Sequence, residues 1–279
     1  MSWLTLSSAF IQRALVEAAL VGGMSGVIGV HVLLRRLSFF VVAMSHATFP
    51  GIVLASLAGV SLLVGGIGFG LVVVVLLSVM GHQRRVDGTT LTGVLLAGSF
   101  ALGVLLQSGR AGGSRQLASF LVGSILTTRG SDIVVTGAVA GVVLGVLALL
   151  HKELVLSAFD PEGAAAVGYR VAGLDTLVLV VVTVGLVATV PAVGTLLAVA
   201  LLTVPAMTAL VWTTRVVPAM ALAAAVGMAS GVIGLVVSTI ADVAAGGCIA
   251  LTAAAAYGAS VVAAAVRRAL LRPASVSSR

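Results

Sequence analysis

Thr176-Leu177-Val178-Leu179-Val180-Val181-Val182-Thr183-Val184-Gly185-Leu186-Val187-Ala188-Thr189-Val190 runs for about four helical turns without a charged side chain. It is apolar on every side. That pattern suits neither a surface helix, which has one polar face, nor a strand of an outer-membrane barrel, which alternates apolar and polar positions. Comparable runs occur at Leu71–Met80, Ile133–Leu150 and Gly194–Leu210, each bounded by short polar clusters. Helices of ~20 such residues cross ~30 Å of hydrocarbon. Of the 279 residues, 60% are hydrophobic and 8% charged. A soluble domain carries about a quarter charged residues, so a water-soluble fold is excluded. The expected fold is an all-α integral membrane protein, a polytopic bundle of about eight or nine transmembrane helices.

The expected spans are residues 14–34, 37–58, 60–80, 90–108, 132–151, 173–190, 192–212, 217–237 and 246–266, with Pro191 dividing two of them. Together, 14–266 form one transmembrane domain. Residues 1–13 place Trp3, Leu4, Leu6, Phe10 and Ile11 among polar positions, the pattern of an amphipathic segment on the membrane surface. Residues 267–279 form a basic tail. Lys and Arg mark orientation, because basic residues collect on the cytoplasmic side. Alternating crossings put Arg35, Arg36, Arg84, Arg85, Lys152, Arg170, Arg215, Arg267, Arg268, Arg272 and Arg279 on one side. Only Arg13, Arg110, Arg115 and Arg129 fall on the other. The N-terminus is therefore expected outside a bacterial plasma membrane and the C-terminus in the cytoplasm. The formal charge of +7 follows from this topology and implies no nucleic-acid partner.

The 34 glycines would weaken soluble helices, but in lipid they let backbones approach closely. Pairs at i, i+4 stand at Gly22/Gly26, Gly141/Gly145 and Gly227/Gly231. The lone Cys248 lies in an apolar stretch and reads as a buried, inert thiol. Two connections are long. The outer one, 109–131, encloses Leu117–Leu126, too short to span and expected as a re-entrant or surface helix. The inner one, 151–172, has Asp160 to cap a short helix, Pro161 at its first position, Glu162 at the positive dipole end and Gly168 to stop it. This short helix at 159–170, faced with small residues, is either a simple connector or a docking surface.

Ionisable residues inside a membrane are costly and point to function. His46 is the sharpest candidate. It lies in Met44-Ser45-His46-Ala47-Thr48-Phe49-Pro50-Gly51, where Pro50 is placed to break the helix and free carbonyls. Neutral imidazole is a common transition-metal ligand, although a membrane histidine also serves as a packing residue. Asp242 either binds metal at a pore mouth or caps the helix beginning near Gly246. Glu17 and His31 lie near the two ends of the first span, where snorkelling toward the interface accounts for them. His82 and His151 read as solvated loop residues. A tight zinc-binding spacing is absent from the sequence, and so is a glycine-rich phosphate loop ending in Lys-Ser/Thr. Any ATP hydrolysis is therefore expected on a separate partner, and the chain itself is not expected to be an enzyme.

Taken together, these motifs resemble the metal-type ABC transporter permeases, the family that imports zinc, manganese or iron(II). The match runs from Gln12-Arg13-Ala14 through Leu33-Leu34-Arg35-Arg36-Leu37-Ser38-Phe39 into Met44-Ser45-His46-Ala47 and Pro50-Gly51. It continues through Leu117-x-x-Phe120-Leu121-x-Gly123-Ser124-Ile125-Leu126, Asp160-Pro161-Glu162 to Gly168, Val193-Gly194-Thr195-Leu196-Leu197, Thr203-Val204-Pro205-Ala206 and Ser238-x-x-x-Asp242-x-x-x-Gly246. The resemblance implies a type II importer-like permease that pairs with a second permease protomer. It also implies a cytoplasmic ABC ATPase dimer and an extracytoplasmic metal-binding protein. On that basis Asp160, Glu162, Ala165 and Gly168 form the ATPase-coupling surface. His46 is a transient metal ligand, Asp242 a mouth or capping residue, and Mn2+, Zn2+ or Fe2+ the cargo, with no cofactor permanently bound. Rival readings are an ion-gradient-driven secondary transporter, which would usually carry more buried carboxylates, and an ABC permease for a metal chelate. Two departures stand out. Val42 occupies the position, four residues before His46, where the family commonly has Asp, and Ala244 stands where Pro is common. The resemblance therefore implies a His46 site that is either weaker or differently completed, by a carboxylate from elsewhere or from the second protomer.

Overall fold

A computed structural model describes residues 9–81, 87–108, 123, 125 and 128–270. Its helices are α1 (Ala9–Leu34), α2 (Ser38–Ala47), α3 (Phe49–Ala58), α4 (Leu62–Gly81), α5 (Gly88–Ser108), α6 (Gly130–Leu149), α7 (His151–Phe159), α8 (Pro161–Ala166), α9 (Val171–Val193), α10 (Thr195–Trp212), α11 (Val216–Ala241) and α12 (Ala245–Leu270). Among the described residues there is no strand, and nine spans are long and apolar enough to cross a membrane, α2 and α3 together forming one.

Three boundaries differ from the sequence expectation. Residues 9–13, expected in the surface segment, begin α1, and Ile11 among them is buried. The break after α9 falls at Gly194, with φ 81° and ψ 164°, and Pro191 sits inside the last turn of α9. Glycine reaches that conformation at no steric cost, whereas proline near a helix end removes only one bond. The break after His46 is also gentler than expected. Thr48 keeps helical angles (φ −77°, ψ −10°), and Pro50 is accommodated in the first turn of α3, where its missing N–H would have gone unpaired in any case.

The interior is built around α1, the α2–α3 span and α9, which are the most buried; α5 and α12 lie at the periphery. Lipid gives helices no hydrophobic reason to associate, so they meet where their backbones come close. A Cβ added at Gly22 would lie 2.3 Å from the carbonyl oxygen of Gly227, and one at Gly26 2.3 Å from that of Ala223. At Gly29 it would meet the carbonyl of Leu202 at 1.7 Å. One glycine face of α1 thus seats α11, and the same helix also meets α10. Gly51 and Gly65 make the same kind of contact between α3 and α4. Of the pairs noted in the sequence, Gly22/Gly26 and Gly227/Gly231 face this interface, while Gly141 and Gly145 look onto open space.

Polar side chains within the spans are largely satisfied by their own helices. Thr183, Thr203, Thr208 and Thr252 each donate to the carbonyl four residues earlier, at 2.7–2.9 Å. Outward positions such as Val79, Leu105, Val142 and Leu149 are exposed and apolar, as a surface facing hydrocarbon requires.

Gly22→Leu is expected to lower stability by about 3 kcal/mol or more, because its side chain would have to displace backbone. Gly141→Leu should change it by less than about 0.5 kcal/mol. Thermal unfolding of the detergent-solubilised protein, measured for both, checks the contrast.

Candidate functional site

His46 lies in the last turn of α2, half-buried. Its ring packs edge-on against Phe100 of α5, with centroids 5.8 Å apart and planes at 77°. Phe100 in turn meets Phe49 at 6.0 Å. One helical turn before His46, Val42 is 38% exposed. The stripe formed by Val42 and His46 therefore faces the outside of the bundle, where one chain supplies the imidazole and no carboxylate at the i−4 position. No group of three or more His, Cys, Asp or Glu able to hold a metal occurs among the described residues.

Asp242 ends α11 in the left-handed conformation, φ 55°. Its backbone N–H donates to the Ser238 carbonyl, and the Ser238 hydroxyl donates to the carbonyl of Val243 at 2.6 Å. Aspartate tolerates left-handed angles better than most residues, which accounts for its place at this turn. The residue is exposed. It closes α11 through its backbone.

The short inner helix forms as its sequence dictates. The Asp160 carboxylate accepts the N–H of Gly163 at 2.8 Å, and Pro161 opens α8. At the other end Gly168, with φ 99°, donates to the Ala165 carbonyl at 3.0 Å, and Tyr169 donates to that of Ala164 at 3.1 Å. This is a Schellman closure with glycine in its left-handed place. Ala164 is fully buried against the bundle, whereas Glu162, Ala165 and Gly168 are exposed. Phe159 (64% exposed) and Val167 (73%) add an apolar rim that the sequence reading missed. The signal was present: two large apolar residues flank a capped helix of small residues.

Arg35, in the sequence a topological charge within a family-like motif, proves to be a structural tie. Its guanidinium pairs with Asp175 at the start of α9 and donates to the Leu154 carbonyl at 3.0 Å and the Ser157 hydroxyl at 2.7 Å on α7. One buried cation thus joins the end of α1 to α9 and to α7, the helix that leads directly into α8. Arg36 beside it takes a left-handed turn, φ 56°.

Two expectations are corrected. Glu17 and His31 do not snorkel; each is only 1% exposed. Both fall in phase with the small and apolar residues of α1 that face inward, Ala14, Ala18, Val21, Ile28 and Val32, so their burial could have been read from helical spacing. The Glu17 carboxylate accepts a bond from Thr136 of α6 at 2.7 Å and lines a cavity of about 490 Å³. Both ring nitrogens of His31 are buried without a hydrogen-bond partner. His151 begins α7 and is half-buried. Cys248 is partly buried and unpaired. His82 and most of Leu117–Leu126 lie outside the described residues, as do residues 1–8 and 271–279; within that segment Ile125 is buried and Gly123 lies against Val193 and Gly194.

The profile of the ABC 3 transport family matches residues 7–264. The chain belongs to that family. It is therefore a multi-spanning permease of an ABC transporter. The permease is 33% identical over 248 residues to the manganese transport system membrane protein MntC of Halalkalibacterium halodurans, an alignment covering 89% of this chain and 85% of that one. It is 34% identical over 245 residues to the manganese import system permease protein ScaB of Streptococcus parasanguinis, covering 88% and 87%. Its fold superposes on a chain of the PsaBC complex from Streptococcus pneumoniae, solved with a Fab, with a TM-score of 0.83, 31% identity and 91% of each chain covered.

Arg35→Met should destabilise the permease by about 1–3 kcal/mol, since it removes charge-assisted bonds to three groups. Arg36→Met should have a smaller effect. Comparing the apparent Tm of the two variants in detergent checks whether Arg35 is the tie between α1, α7 and α9.

Proposed function

We propose that this permease imports a divalent transition-metal ion, with Mn2+ the leading candidate and Zn2+ and Fe2+ the alternatives. The observation that carries the proposal is its similarity to manganese permeases, with identities of 33% and 34% over most of each chain. Under this reading an extracytoplasmic binding protein delivers the ion to the outer mouth of a permease dimer, and ATP binding by a cytoplasmic ATPase dimer drives alternating access. The N-terminus lies outside a bacterial plasma membrane and the C-terminus inside.

His46 is a transient ligand in this scheme. Its half-buried position on an outward-facing stripe, with Val42 in place of a carboxylate, favours a site completed between two protomers. Imidazole releases an ion readily when few ligands hold it, which suits a conduit. Asp242 serves as an exposed carboxylate at the outer mouth. Asp160, Glu162, Ala165 and Gly168 form the surface that seats in the ATPase, with Phe159 and Val167 supplying its apolar contact. Arg35 holds α7 to the body of the bundle, so movement at α8 is passed to α1 and α9.

Cells lacking the permease, grown under metal limitation, are expected to lose manganese, measured as total cell metal, and to regain it with the wild type. His46→Ala should restore less uptake than His151→Ala or His82→Ala; equal restoration would make His46 an ordinary packing residue. Gly168→Trp should abolish uptake while the protein remains in the membrane, because any side chain at φ 99° is strained and a large one blocks docking. Normal uptake by Gly168→Trp would remove the coupling assignment.

A further inference from the structure

The cavity beside Glu17 lies at the end of the bundle where α1 begins, α5 and α9 finish and α3 turns into α4. It is the outer end in the orientation proposed above. Its wall carries two carboxylates, Glu17 and Asp132, together with oxygen-bearing side chains that include Gln107, Ser56 and Thr136. Histidine, cysteine, methionine, lysine and arginine do not occur among its described lining residues.

The two carboxylates differ in how they are held. Asp132 sits in the first turn of α6, where its carboxylate accepts the backbone N–H of Arg129 at 2.8 Å and the Ser131 hydroxyl at 3.3 Å. Those bonds and the helix dipole stabilise its charge. Glu17 is nearly fully buried. One of its oxygens accepts from Thr136, and the other, Oε2, has no hydrogen-bond partner. A buried carboxylate with half of its acceptor capacity unused is costly unless it is neutralised by a proton or by a cation. A single carboxyl in a dry wall would settle for the proton. Here a second carboxylate shares a cavity of about 490 Å³. That space admits an ion with several waters still attached, at ~30 Å³ of liquid volume per water.

We propose that this cavity is a divalent-cation site within each protomer, separate from His46, in which Glu17 is the anchoring ligand and Asp132 the second carboxylate. The donors are all oxygen, the set that suits hard divalent ions such as Mn2+ and leaves part of the coordination shell to water. The proposal deepens the import reading and rests on it for the ion's identity: an ion arriving from outside would pause on oxygen donors before meeting imidazole.

The test is direct Mn2+ binding by the purified full-length permease in lipid nanodiscs, measured by equilibrium dialysis and separately from cellular uptake. Wild type is expected to bind Mn2+, and His46→Ala, which lacks the interprotomer ligand, to retain about one Mn2+ per chain. Glu17→Gln, which keeps shape and removes charge, should weaken this binding by about tenfold or more. Asp132→Asn, at an exposed position and so less exposed to misfolding, should also weaken it. Binding by both variants equal to wild type would overturn the proposal, as would no binding by wild type. The two readings fail separately. Glu17-dependent binding with unchanged cell manganese on deletion would leave the site standing and remove the import reading; manganese loss on deletion with charge-independent binding would do the reverse.

Discussion

The close approach of α1 and α11 at Gly22, Gly26 and Gly227 is the contact on which the rest of this bundle depends. Within lipid, burying an apolar side chain against another helix replaces one hydrocarbon contact with another, so side-chain hydrophobicity cannot select a packing. Backbone contact can, because removing Cβ atoms lets two helices gain dispersion and weak Cα–H···O interactions along their length. A Cβ at Gly22 or Gly227 would come within 2.3 Å of the opposite carbonyl oxygen. With α11 seated on one side and α10 on another, α1 becomes an interior helix. Its polar residues, Glu17 and His31, are carried into the protein instead of toward headgroups.

That placement sets three regions of the permease apart. At one end, Glu17 and Asp132 line an oxygen-rich cavity. Near the middle of the α2–α3 span, His46 lies partly open on the flank of the bundle. At the other end, Arg35 ties α1 to α7 and α9 beside the capped helix α8. The same helix, α1, contributes to both ends, bearing Glu17 near its start and ending just before Arg35. A rigid rod about 39 Å long, at 1.5 Å per residue, could link events at the two membrane faces.

The expected spans agree with the helices to within a few residues, because length and uniform apolarity are enough to define a membrane crossing. Short-range rules also held at Asp160, Pro161 and Gly168, whose capping roles depend only on neighbours in sequence. The misplaced features were those with a choice of surroundings. Gly194, and not Pro191, makes the break between α9 and α10, and Glu17 and His31 point inward with the phase of α1 and not toward the interface.

Helix class, the crossing number to within one and the short capped connector follow from the sequence alone, since each is set by a local balance of hydrocarbon solvation, backbone hydrogen bonding and terminal capping. Which glycine pair mates with which, which charge is buried and which carboxylates share a cavity were decided only by the tertiary structure. Gly22/Gly26 and Gly141/Gly145 have the same spacing, yet only the first meets another backbone. The physical reason is that all-round apolar helices can rotate in lipid at little cost, so their inward faces are chosen by the partners they meet.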